Sequence, residues 1–163
     1  MPYITPNAIH EAAHALIAIG LEMQVHGIFV NEKHMATTRI SFDPAKTRPA
    51  AIYCQKVAGM LAVEIQNERN GRNDDTGFGD DANLDHDAWT VSRIVEYLRH
   101  VAPDYDTTAF ESIWSAWTRG KLERSWNAVE AIAHEAAPVF VGGGMLTGER
   151  IQEIIKVAME AAP

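Results

Sequence analysis

The chain has 163 residues, 47% hydrophobic and 22% charged, with a net charge of −8; that length allows one domain with a substantial core. The acidic balance argues against a phosphate-binding face, so no nucleic-acid partner is expected, and no apolar run approaches the ~20 residues of a membrane span. The first residues lack the basic and apolar segments of a signal peptide, and the single cysteine, Cys54, permits neither an internal disulfide nor a C-x-x-C metal site, so the expected setting is cytoplasmic, away from membranes.

Thr5-Pro6 reads as a helix start, with Thr as N-cap and Pro in the first helical position. The helix should run from Pro6 to about Glu22, with Ile9, Ala12, Ala13, Leu16, Ile17 and Ile19 on its buried side. Val25–Val30 and Thr37–Phe42 read as two strands joined by a turn at Asn31–His34, forming a hairpin or the edge of a small sheet. Pro49 to about Arg69 repeats apolar residues at helical spacing, and Cys54 belongs to its packing side. The segment from Arg72 to Asn83 is polar and rich in Gly and Asp, as expected of a loop that is either mobile or close to the metal.

A third helix is expected from about Leu84 to Val101, with Leu84, Ala88, Val91, Ile94, Val95 and Leu98 facing inward. Thr107 to Ala136 reads as one long helix or a pair broken near Gly120, with Phe110, Ile113, Trp114, Trp117, Leu122 and Trp126 among its inner residues. After the Gly142-Gly143-Gly144 link, Thr147 caps a final helix over 148–161, with Ile151, Ile154, Ile155 and Val157 apolar. The predicted fold is mainly α with a small β-hairpin or edge sheet, in a single domain: residues 1–102 carry the metal-site part and 103–163 a C-terminal helical part.

His10-Glu11-Ala12-Ala13-His14 is an H-E-x-x-H pentad within the first helix. Residues four apart share a helix face, so both imidazoles can reach one metal ion. Glu11 lies beside them, where it can take a proton from water. A catalytic zinc usually takes three protein ligands, so a third must come from elsewhere. A third His at the H-E-x-x-H-x-x-G-x-x-H spacing is absent, because Gln24 stands at the last position. A Glu on a later helix points to Glu64 or Glu68. An Asp at a helix start after a Gly-rich loop points to the acids between Asp80 and Asp87, among them Asp81 and Asp85.

The chain resembles the peptidase domain of the FtsH family of AAA-type zinc proteases. His10-Glu11-Ala12-Ala13-His14-Ala15-Leu16 resembles the family's H-E-A-G-H-A-L, with Ala13 in place of Gly. Val25–Val30 resembles its V-H-K-V-S-I strand, and Ala58–Glu64 its G-G-R-A-A-E helix. Thr76-Gly77 is similar to the T-G before its acidic ligand segment, and Leu146–Ile151 to its L-T-G-E-x-I terminal helix. The resemblance implies two His ligands and an Asp ligand to Zn2+: His10, His14 and one of the later acids, with Glu11 as base. The family's Asp opens a helix with apolar residues at +4, +7, +8 and +11. Counting from Asp87 meets Val91, Ile94, Val95 and Leu98, so Asp87 is the expected ligand, with Asp85 and Asp81 as alternatives.

Two departures shape the expectation. No G-x-x-x-x-G-K-[ST] segment occurs, so the ATPase module is missing, and so are the family's membrane spans. The implied protein is a stand-alone zinc endopeptidase for flexible or unfolded polypeptide substrates, fed by a separate ATPase if by any motor. The family's hexameric ring makes a homo-oligomer a further expectation, although the missing module helps to hold that ring. The alternative is a non-catalytic, metal-binding interaction module on the same fold.

Overall fold

Thr5 and Pro6 open the first helix. The structure, a computed structural model, describes residues 4–30, 36–43, 45–71 and 82–161. Helix α1 (Pro6–Gly20) is capped by Thr5 Oγ1, which accepts the Ala8 N–H at 3.3 Å. It ends two residues before the expected Glu22, because Glu22 takes a left-handed conformation (φ 59°) that turns the chain into the sheet. Strands β1 (Gln24–Val30) and β2 (Ala36–Ser41) pair antiparallel, with a bulge between Val25 and Gly27.

Helix α2 (Pro49–Arg69) keeps its expected bounds. Helix α3 (Ala82–Val101) begins two residues earlier than expected. The expected break near Gly120 does not occur. Helix α4 (Thr107–Arg124) runs through Gly120, and the chain turns at Ser125 into α5 (Trp126–Gly142). The turn buries Leu122 and Trp126 on either side of it. Helix α5 also continues past Ala136 through Pro138. That proline is exposed, so water can serve the carbonyl whose ladder bond it removes.

A third strand, β3 (Met145–Thr147), pairs with the other edge of β1, giving the order β2-β1-β3. It is too short to show alternation in the sequence. Helix α6 (Gly148–Glu160) follows at once, with Thr147 Oγ1 accepting the Arg150 N–H at 3.3 Å. A Cβ on Gly148 would overlap the Val25 carbonyl, so glycine lets α6 start directly against β1.

The described residues are thus mainly helical, with a small antiparallel sheet. Residues of α1, α2, β1, α4, α5, β3 and α6 form the main core. A smaller cluster of Tyr53, Val57 and Phe110, with Val91, Ile94 and Leu98 against it, joins α2, α3 and α4. Cys54 is buried as expected. Ala88, Ile113 and Val157, expected to face inward, are exposed, since the buried stripes pass instead through Val95, Phe110 and Ile154. Among the described residues, no helix is long and apolar enough to cross a membrane.

These packing differences can be read as stability. Ile132, fully buried in the main core, should cost about 2–5 kcal/mol when replaced by Ala. Arg119→Ala, which removes partly exposed ion pairs to Glu64, Glu68 and Glu123, should cost about 1 kcal/mol or less. Urea denaturation of both variants measures the contrast.

Candidate metal centre

Helix α1 is buried along its middle, from Ala8 to Ala18, and His10, Glu11 and His14 lie within that stretch. Polar groups so placed need partners inside the protein. Asp87, in the second turn of α3, brings a carboxylate to the two histidines: its Oδ2 lies 2.8 Å from His14 Nε2 and 3.2 Å from His10 Nε2. The two Nε2 atoms are 2.9 Å apart, and the rings meet edge to face. Among the described residues, His10, His14 and Asp87 form a buried group that could hold a metal ion.

The donor set fits one. His14 Nδ1 is 2.6 Å from the Gln55 carbonyl oxygen, which can only accept. Nδ1 therefore carries the hydrogen and Nε2 directs a lone pair inward, the state a ligating histidine needs. A lone pair and a carboxylate oxygen so close together, away from water, suit a cation held between them. Ligands about 2.0–2.1 Å from a tetrahedral zinc lie about 3.3 Å from one another, only a few tenths of an ångström beyond the separations seen here.

The remaining contacts hold the three candidate ligands in place. Lys56 Nζ donates to Asp87 Oδ1 at 3.0 Å, leaving Oδ2 for the histidines. Burial alone would raise the Asp87 carboxyl pKa, but its close contacts with the two histidines and the Lys56 ammonium outweigh it, holding the pKa well below the usual carboxylate range. Asp87 is therefore ionised, as a ligand must be. Beneath His10, a Cβ on Gly59 would stand 2.5 Å from Nδ1, so this glycine is the notch in α2 that admits the ring.

Glu11 shares a small cavity of about 70 Å³ with His14, Thr38, Lys56, His86 and Asp87. That is room for one or two water molecules. Burial pushes the Glu11 carboxyl up to about 7, opposed by His10 and by hydrogen bonding to Thr38. Thr38 Oγ1 lies 2.7 Å from Glu11 Oε2 and 2.9 Å from the Glu11 carbonyl oxygen, so its one proton can serve either. This contact orients the carboxylate and ties α1 to β2.

The sequence-expected residues separate clearly. His10, His14 and Asp87 are brought together, with Glu11 beside them. Glu64 and Glu68 are exposed elsewhere on α2, paired with Arg119 of α4, and are not part of the cluster. Asp81 and the Asp85 side chain lie outside the described residues. Thr38, Gln55, Lys56 and Gly59 have roles at the centre that sequence reasoning missed. The one available signal was Gly59, a glycine inside a helix where Ala would be favoured by about 1 kcal/mol. No protein-family model matches the chain, and no curated protein matches it either.

Two substitutions test the supporting shell. Gly59→Ala should favour the helix locally yet displace His10, weakening metal binding by at least about tenfold in a chelator competition. Lys56→Met should free Asp87 Oδ1 and weaken metal binding within the same range of about 10–100-fold, whereas Lys56→Arg should recover part of the loss.

Proposed function

We propose that this chain is a zinc-dependent endopeptidase of FtsH-like design, acting on flexible or unfolded polypeptides. The observation that carries the reading is the meeting of His10 and His14 with Asp87, 73 residues beyond His14, in a buried cluster with Glu11 at its side. The order of the sequence segments likened to that family supports it further.

In this reading His10, His14 and Asp87 hold the ion. A zinc ion in such a site supplies Lewis acidity, lowering the pKa of water towards about 7 and polarising a carbonyl. Glu11 takes a proton from the attacking water and returns it to the departing amine, so that the carbonyl carbon gains OH and the nitrogen gains H. Thr38 keeps the Glu11 carboxylate turned into the cavity. Strand β2 is an edge of the three-stranded sheet, and an extended substrate would align along it by strand addition. Thr38 lies on that strand, so the same element would position both substrate and base. A separate ATPase would extend the activity to folded substrates, and self-assembly would set how chains reach the site.

The test is to purify the wild type, Glu11→Gln and Asp87→Ala, measure bound zinc, and assay cleavage of an unfolded protein. Glu11→Gln should keep its zinc and lose cleavage by at least about 100-fold, while Asp87→Ala should lose zinc. Equal cleavage by wild type and Glu11→Gln would remove Glu11 as base. Zinc without cleavage in either would favour the interaction-module alternative.

A further inference from the structure

A second concavity has no part in the chemistry above. It is a cleft of about 620 Å³ between the β2–α2 connection, the start of α2 and the middle of α3. Pro49, Ile52 and Tyr97 give it an apolar surface, and Lys46, Arg48 and Arg93 line it with cations. No carboxylate among the described residues lines it, although the chain carries a net charge of −8. Lys46 pairs with Asp43 at 3.2 Å and Arg93 with Glu96 at 2.9 Å. Arg48 is exposed and has no ion pair among the described residues.

A row of side chains joins this cleft to the metal centre. His86 lines the cavity of the centre. The Trp89 ring stacks on it, with centroids 6.2 Å apart and planes 22° apart. The Arg93 guanidinium lies 6.0 Å from the Trp89 ring centroid, and Arg93 lines the cleft. The spacings of three and four place all three on one face of α3. Trp89 is 61% exposed, so its ring is open to a chain lying along α3. On α2, Ile52 precedes Lys56 by one turn, so the cleft begins where the Lys56–Asp87 ion pair ends.

We propose that this row and cleft form a substrate subsite that selects polypeptides carrying acidic side chains next to an apolar one. The inference rests on the peptidase reading and names its substrate class. His86 and Arg93 are seven residues apart, a rise of about 10 Å along the helix. An extended chain covers that in about three residues, so the acidic preference falls about three residues from the bond that is cut. An open, apolar surface with flanking aromatic rings suits a peptide better than a small anion, which needs donors converging on one point. Exposed cations give modest, salt-screened selectivity rather than tight binding.

The experiment is cleavage of a library of unstructured peptides by the zinc-loaded protein, with sites mapped by mass spectrometry. Cut sequences should be enriched in Asp and Glu about three residues from the cleaved bond, by about fivefold at low salt. The Arg48→Glu/Arg93→Glu variant, with its folding checked by circular dichroism and its zinc content measured, should lose or invert that enrichment. Lys156→Glu, an exposed charge reversal on α6, should keep it. Cleavage without acidic enrichment, or enrichment unchanged in the double variant, would overturn the subsite while leaving the peptidase reading intact. If the wild type cuts nothing, the peptidase reading fails, and binding decides the cleft. Fluorescence anisotropy would compare a labelled Glu- and Leu-containing peptide with its Gln counterpart on zinc-loaded Glu11→Gln. Tighter binding of the acidic peptide, lost on adding the double charge reversal, supports the subsite; equal affinities reject it.

Discussion

Eleven consecutive residues of α1 are buried, and three of them are His10, Glu11 and His14. A helix enclosed in this way is normally apolar all round. Once polar side chains are placed on it, every neighbouring element must supply a partner or leave room for one. Helix α2 does both: Gln55 accepts from His14, and Gly59 yields to the His10 ring. Strand β2 brings the Thr38 hydroxyl to Glu11, and α3 brings Asp87. The positions of α2, β2 and α3 around α1 are thus chemical requirements of three side chains as much as results of packing.

The division between legible and hidden features follows from sequence distance. The pentad lies within five residues of a helix, so spacing alone aligned its histidines. Asp87 follows from the resemblance, whose helix pattern of apolar residues at +4, +7, +8 and +11 fits Val91, Ile94, Val95 and Leu98 best from that position. Thr38, Gln55 and Lys56 make their contacts across 27 to 41 residues, and nothing local marks one threonine or lysine from another. Glu64 and Glu68 show the converse. Their spacing suited a ligand, but the position of Arg119 on α4 claimed them.

The same reasoning covers the fold. Helices α1 and α2 announced themselves through Pro at the first position and long apolar repeats. The α4–α5 turn did not, because Gly120 is the stronger local breaker; burying both Leu122 and Trp126 placed the turn at Ser125 instead. Strand β3 has only three residues, and its existence depends on the free edge of β1 being close by. Where local preference and tertiary contact agreed, the sequence was sufficient. Where they differed, burial decided.

The attachment of α3 has a mechanical consequence. Helices α1, α2, α5 and α6 share the main core, whereas α3 joins the rest through the small cluster around Tyr53, Val57 and Phe110 and through Asp87 at its opening end. A cation gripped by His10, His14 and Asp87 would rivet that end of α3 to the central helix. Without the rivet, α3 is held chiefly by the small cluster, and its detachment would unmake the site and its approach together. Metal loading would then appear as slower amide hydrogen exchange in the first turns of α3, with the centre of α1 scarcely altered.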